Sequence, residues 1–569
     1  MKQSKLLLLV FLLCLSLCIF AACAQEEAPA DDPGTEEGSS EASGEFTVEE
    51  LLQNKDFRLA LNYALDREEY VAVASSGLYY PGTRFVLPLV AGAETTYAEE
   101  YPMDVYQSTA DLELAQQHLT AAMETLGISD PSEITIKIKI SDDEGNRPIA
   151  ENCQDQWNRN LGINVEIETV TYRAMLDDRV AGNFELIYAG WMPDYDDPYT
   201  YLSYFVSTNA QNGGKFSNER YDELVNTANT YSDKATRLAM YAEAEQILLE
   251  EAGIVPLQVR QRPWAYANNL KGIVRYYLGP TVDYIYAYFD GQEEQDLSFS
   301  QTDIPTIDPQ LFNASASYVA IKGYSEGLVH TLGAEVRPGV AESWEIAEDN
   351  MSMTFHLRQD ACWSDGSPLT ANDFVYAFRR LADPNTAASY SWVLSEVKNA
   401  TAVLAGEMAV EELGVSAPDD YTFVIEFDVP APYYLSFLDM PPFHPVKQEL
   451  VEQYGVDYAS SADTLLGNGP FVITEYLVDQ SITMVPNENY WDRESIKLDS
   501  VTIHVMDQDA AFDLMRTGEL DLADIPVDVA NSYLEDASLL PDHTAELFMD
   551  GAVDWFCINM SGSTTGANN

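Results

Sequence analysis

The sequence predicts an α/β fold, and three observations carry that prediction. Between residues 134 and 189 strand and helix patterns alternate as strand, helix, strand, helix, strand, which is the order of an α/β domain. Apolar residues at 112–126 recur at spacings of three and four, a helical period. The apolar run 184–189 is stopped by Gly190 and Pro193, so Trp191 and Asp194 land beyond the strand's carboxyl end. In open α/β sheets that rim is where ligands bind. An aromatic plate beside a carboxylate suits a small cationic group there. The same residues also fit a plain turn, with Asp194 capping local amides and Trp191 filling core.

Taken in order, residues 56–75 read as helix, with Leu59, Leu61, Ala64, Leu65 and Val71 as its apolar positions. A second helix follows from Ser108, and Gly127 is its stop. Residues 134–140 alternate as a strand with one wet face, 148–160 are helical, and Gly162 introduces an alternating strand from Ile163. Residues 172–180 form the helix that leads into the strand at 184–189. Two more helices, 218–230 and 232–252, close the domain, with Ser232 as the cap of the second. Residues 254–260 are extended and lead out, and 290–295 are a short polar joint. A second region of strands and helices begins at Leu297 and includes a helix capped by Thr370 with Asp373. The last apolar strand is 554–559.

Thirty basic against 93 acidic residues give a net charge of -63. Phosphate backbones would be repelled, so nucleic acid is excluded as a partner. Residues 1–22 read as a signal peptide, with Lys2 and Lys5 before an apolar run. Ala21-Ala22-Cys23 resembles a bacterial lipobox, with Phe20 where such boxes usually carry Leu, so Cys23 is the expected lipidated residue. Residues 23–46 are a Glu-, Ser-, Gly- and Pro-rich spacer. Beyond it Cys153, Cys362 and Cys557 form no disulfide framework, and the six histidines show no ligand spacing. Neither a phosphate loop nor a nucleophile elbow is present. No enzyme activity, metal or cofactor is expected.

Several segments resemble the oligopeptide- and dipeptide-binding proteins of bacterial ABC importers. They are Pro338-Gly-Val-Ala-Glu-Ser-Trp344, Phe355-His-Leu-Arg358, Trp363-Ser-Asp-Gly366, Asp373-Phe-Val-Tyr376 and Arg380-Leu-Ala-Asp-Pro384. Gly467-Asn-Gly-Pro470, Asn489-Tyr-Trp-Asp492, Ala64-Leu-Asp-Arg67 and the stretch 190–198 add to them. The family's order places the segments from Leu297 to Asn559 first, so the resemblance implies a circular permutation. Exposed loops and adjacent termini permit one.

The resemblance implies a two-lobed periplasmic-binding-protein-like fold closing on a peptide. Carried over, 47–262 form the ligand-binding lobe, completed by strand 553–560. Residues 263–325 and 448–552 form the second lobe, with a family-specific subdomain at 326–447. Asp194 stands where the family pairs an aspartate with the peptide's α-ammonium, and Trp191 matches a site tryptophan. Gly190 and Met192 would offer backbone groups, and Asn313, Ser315 and Tyr390 match ligand contacts of the other lobe. Tyr172 stands for an aromatic wall. Tyr188 and Asn146 replace an arginine and a histidine of some relatives, which leaves Arg147, on the loop after the strand 134–140, as the candidate fork for a ligand carboxylate or, as the plainer reading, a surface arginine. The implied function is a monomeric, lipid-anchored, extracytoplasmic receptor that passes peptides to ABC transporter permease subunits. The alternatives are the same fold serving a nickel chelate, sugar or opine, an exported hydrolase, and a permuted relic without transport.

Overall fold

A computed structural model describes residues 46–142, 145–209, 211–278, 280–332 and 335–563. The signal segment, most of the spacer and Cys23 lie outside the described residues.

An eleven-stranded sheet runs through the described residues. Its strands are β1 (Tyr80–Pro81), β2 (Thr135–Ser141), β3 (Asn164–Val170), β4 (Leu186–Trp191), β5 (Ile254–Ala267) and β6 (Asp296–Gln301). They continue with β7 (Phe471–Leu477), β8 (Ser481–Pro486), β9 (Ser500–Val505), β10 (Leu522–Asp524) and β11 (His543–Ile558). The order across the sheet is β7-β8-β9-β6-β10-β5-β11-β4-β2-β3, with β1 beside β5. β2 is parallel to β3 and β4, and β6 is parallel to β9 and β10. β5 and β11 run antiparallel to each other and to β10 and β4 respectively. Two α/β lobes therefore hang on one pair of long strands.

β5 and β11 span 14 and 16 residues, longer than the apolar runs at 254–260 and 554–559 suggested. His543 to Met549 pair with Ala267 to Gln261 on the second-lobe side, and Val553 to Cys557 pair with Val259 to Ile254 on the first. Between the two halves the register slips, and Gly551 takes φ +87 there. A side chain at that φ is strained, and a Cβ would also come within 3.0 Å of the Tyr277 carbonyl oxygen. The slip is a bulge, a device that bends a strand next to a site.

The first lobe is layered helix, sheet, helix. Leu61, Ile149, Cys153 and Trp157 cover one sheet face with Ile136, Ile138, Tyr188 and Phe556. Tyr221, Leu238, Tyr241 and Leu248 cover the other with Ile187, Ala189 and Trp555. Lys139, expected on a wet face, is buried instead, and its Nζ donates to Asp178 Oδ2 at 2.7 Å. The helix Tyr172–Ala181 supplies Asp178 and covers that face. The helix expected over 56–75 is two, Lys55–Tyr63 and Arg67–Ala74. Asp66 breaks it by accepting from the Glu69 N–H at 2.9 Å, an N-cap inside a helical pattern. Asp233, not Ser232, caps Lys234–Glu250, accepting from the Thr236 N–H at 2.8 Å.

In the other lobe the strands Ala341–Ile346, Ser352–Leu357, Thr422–Glu426 and Val415–Asp419 form an antiparallel sheet of four. The helix Ala371–Ala382 packs on it and starts at the Thr370/Asp373 capping box the spacing predicts. One residue of the first lobe, Tyr195, is buried in this core.

Candidate functional site

A cavity of about 510 Å3 opens where the parallel strands end. Met192, Pro193 and Asp194 follow β4, Thr302 and Asp303 follow β6, and Met506 follows β9. Asp524 is the last residue of β10. Ligands of open α/β sheets bind at that edge because the chain leaves the strand there and frees side chains and amides. The bulge side of β11 closes the floor with Phe548 and Asp550.

Asp194 is distinguished from its neighbours by what it lacks. Asp197 pairs with Arg237 and accepts from the Tyr199 N–H at 3.0 Å. Asp196 accepts from the Ala91 N–H at 2.8 Å, from the Tyr277 hydroxyl and, at 3.3 Å, from the Tyr276 hydroxyl. The Asp194 backbone N–H donates to Thr200 Oγ1 at 3.3 Å, but among the described residues nothing donates to its carboxylate. Burial without a partner pushes its pKa up to about 7. Burial first, and the Asp194 carboxyl second, hold the Tyr390 hydroxyl above its ordinary value, which puts Tyr390 in the field of Asp194.

The cavity brings together Asp194, Met192, Ser315 and Tyr390. Tyr390 meets Phe312 edge to face at 4.8 Å. Trp191 stands behind the rim, its ring against Tyr204 at 5.5 Å and its indole N–H without a partner among the described residues. Gly190 lies opposite Asp554 on β11, and a Cβ there would come within 2.6 Å of Asp554 Oδ1. Its lack of a side chain makes room for the Asp554–Arg260 pair, which closes at 2.8 Å through two hydrogen bonds. Tyr188 is core, edge-on to Phe556. Tyr172 is 56% exposed at the start of its helix, and Asn313 is exposed beside the lining residues Phe312 and Ala314. None of Gly190, Trp191, Tyr172, Tyr188 and Asn313 lines the cavity.

Arg147 takes the plainer of its two readings, and its expected loop is a helix. It lies in the helix Asn146–Leu161 rather than on a loop, its Nε donating to Glu151 one turn on at 2.8 Å. It is a surface ion pair away from the cavity. The cavity's cations are Arg262 on β5 and Arg275, which no pattern in the sequence singled out. Residues 254–260 read as extended, but only the continuation of β5 past Arg260 carries Arg262 to the cavity. Arg275 and the tyrosine pair Tyr276 and Tyr277 sit in a stretch without periodicity. Asp303, Met506 and Asp524 could have been found by applying the strand-end rule to the second lobe as well.

Among the described residues no three or more His, Cys, Asp or Glu stand close enough to hold a metal ion, and no helix is long and apolar enough to cross a membrane.

Residues 26–213 and 335–565 match the family model described as bacterial extracellular solute-binding proteins, family 5 middle. The dipeptide-binding protein DppE of Bacillus subtilis is 33% identical over 246 residues, 42% of this chain and 45% of that protein. The periplasmic murein peptide-binding protein MppA of Escherichia coli is 34% identical over 250 residues, 43% of this chain and 46% of that one. The crystal structure of Haemophilus influenzae OppA in complex with the peptide RPPGFSPFR is 35% identical over 40% of this chain and 45% of its own, with a TM-score of 0.39. The chain thus spans about half the length of the curated relatives it matches. The matched family is one of solute-binding proteins and not of enzymes. With the two matched segments covering well over half of its residues, the chain belongs to family 5 of the bacterial extracellular solute-binding proteins.

Proposed function

We propose that this protein captures peptides in the cavity between its lobes and delivers them to an ABC importer. The observation that carries this is the Asp194 carboxyl, half-buried on the cavity rim without a donor. A buried carboxyl is costly unless neutralised or paired, and a peptide's α-ammonium is a partner of the right charge and size. The backbone beyond β4 offers main-chain groups that bind an extended ligand without reading its side chains. The names of the relatives, dipeptide- and murein peptide-binding proteins, support the same ligand class. Cys23 anchors the mature protein to the membrane, on the strength of its lipobox.

The lobes are those of a circular permutant. In support, β11 near the carboxyl end lies between β4 and β5 of the first lobe, so strands from both halves of the chain share one lobe's sheet. Alignments to each relative spanning less than half of the chain are what exchanged halves produce.

Native mass spectrometry of protein purified from its cells tests the ligand and the anchor together. A heterogeneous envelope of peptide masses is expected, on a chain carrying a lipid at Cys23. A single non-peptide mass would replace the peptide reading. In calorimetry Asp194→Ala should cost about 3 kcal/mol or more, upward of two decades of affinity. N-acetylated peptides should fail on the unaltered protein to the same degree.

A further inference from the structure

A zwitterionic ligand needs a cation as well as a carboxylate, and the cavity holds two arginines in different states. Arg275 is fully engaged. Its Nη1 donates to Asp524, its Nε donates to the Thr281 carbonyl at 3.1 Å, and its plane lies over Phe548 at 4.0 Å and Trp264 at 4.9 Å. Its side chain is only 5% exposed. Arg262 is half free. Its Nε donates to Asp550 Oδ2 at 3.0 Å, and its side chain is 49% exposed. Among the described residues its Nη1 and Nη2 make no hydrogen bond. Among the described residues no lysine, histidine or other arginine lines the cavity.

We infer that Arg262 is the cavity's carboxylate reader, so that the site takes short peptides with a free carboxyl group set across from the ammonium on Asp194. This rests on the peptide reading above. Asp550 fixes the guanidinium by one edge and leaves the Nη edge as a planar fork, the geometry that binds a carboxylate in two parallel hydrogen bonds. The fork sits on β5, opposite Phe548 in the β5–β11 ladder, whereas Asp194 sits on the loop after β4. A ligand long enough to touch both spans from the first lobe to the crossing strands. Ligand length is thereby selected as well as charge.

The test uses the full protein and alanine peptides of two to five residues, each as free acid, as carboxyl-terminal amide and as N-acetyl derivative, with binding read by calorimetry. The unaltered protein should prefer acid over amide by about tenfold or more at one favoured length. Arg262→Gln should bring that ratio to about one while leaving the preference for a free over an acetylated amine unchanged. Arg262→Lys keeps the charge beside Asp550 but lacks the fork, and should retain only part of the preference. An acid-to-amide ratio near one at every length in the unaltered protein, or a ratio untouched by Arg262→Gln, overturns the inference and leaves peptide binding in place. No binding of any of these peptides overturns the peptide reading, and this inference with it.

Discussion

Asp194 is a carboxyl whose charge waits for its ligand. With burial pushing its pKa up to about 7, the group must release its proton before it can pair with an ammonium below that pH. Apparent affinity should therefore fall by up to tenfold for each pH unit below about 7. It should fall again above about 8, where an α-amino group loses its own proton. Calorimetry between pH 5.5 and 8.5 in buffers of different ionisation enthalpy reads both the affinity and the released proton. Flat affinity from 5.5 to 7 would dismiss Asp194 as the ammonium partner. The sign for folding is the opposite of a salt-bridged carboxylate. A carboxyl whose folded pKa is raised binds more protons folded than unfolded, so the stability it contributes is present at acid pH and lost as pH climbs from the unfolded value towards 7. Asp194→Asn should accordingly raise the melting temperature of the ligand-free protein at pH 8 and leave it nearly unchanged at pH 4. Asp196 and Asp197 have the same residue type two and three positions on, yet Tyr277, the Ala91 amide and Arg237 occupy them. Which aspartate of the three stays open was invisible in their spacing, because their partners come from residues 81 and 40 positions away and from the chain before β2.

Among the elements, β11 carries the most. Its second half is a central strand, flanked by β4 and β5, and buries Val553, Trp555, Phe556 and Ile558. At about 1.5–3 kcal/mol for each fully buried apolar side chain, these four contribute roughly 6–12 kcal/mol. That is the whole stability of an ordinary domain. Truncation at Gly551 should therefore unfold the first lobe, since β4 and β5 would also lose their ladder partners. Hydrogen exchange should show protection lost in β2, β3 and β4 and kept in the four-stranded sheet of residues 341–426. Loss concentrated in β7, β8 and β9 instead would place the strand's contribution in the wrong lobe. The apolar run at 554–559 announced a strand, but not its neighbours: pairing between residues some 360 positions apart in the chain is decided by which edges the folded lobes leave open.

Across the whole molecule, the two lobes touch beyond the crossing strands. Tyr195 stacks on Tyr433 at 4.6 Å and 13° and lies 4.6 Å from Phe437, while Tyr199 meets Tyr433 at 5.3 Å. Asn350 Nδ2 donates to the Asn229 carbonyl at 3.3 Å across the same seam. Tyr433 does not line the cavity, so it can act on ligand binding only through closure. Aromatic pairs contribute about 0.5–1.5 kcal/mol beyond their area. Tyr433→Leu, which keeps apolar bulk in its own core, should weaken ligand binding about two- to tenfold. It should also enlarge the ligand-free protein in small-angle scattering without lowering the melting temperature of the subdomain. Unchanged affinity and size would mean the seam plays no part in closure.

By itself the sequence determined the α/β class, the longer helices of the first lobe after residue 108 to within a few residues, the capping box at Thr370 and the rim position of Asp194. Those features are local: period, cap chemistry and a glycine or proline stop are written within a dozen residues. Tertiary structure decided the rest. It split the helix at Asp66, buried Lys139 under a later helix, removed Arg147 to the surface and carried Arg262 to the cavity along a strand longer than its apolar run. Each of these turns on a partner far away in the chain, and a side chain's exposure or pairing is a property of what folds against it rather than of its own neighbours in sequence.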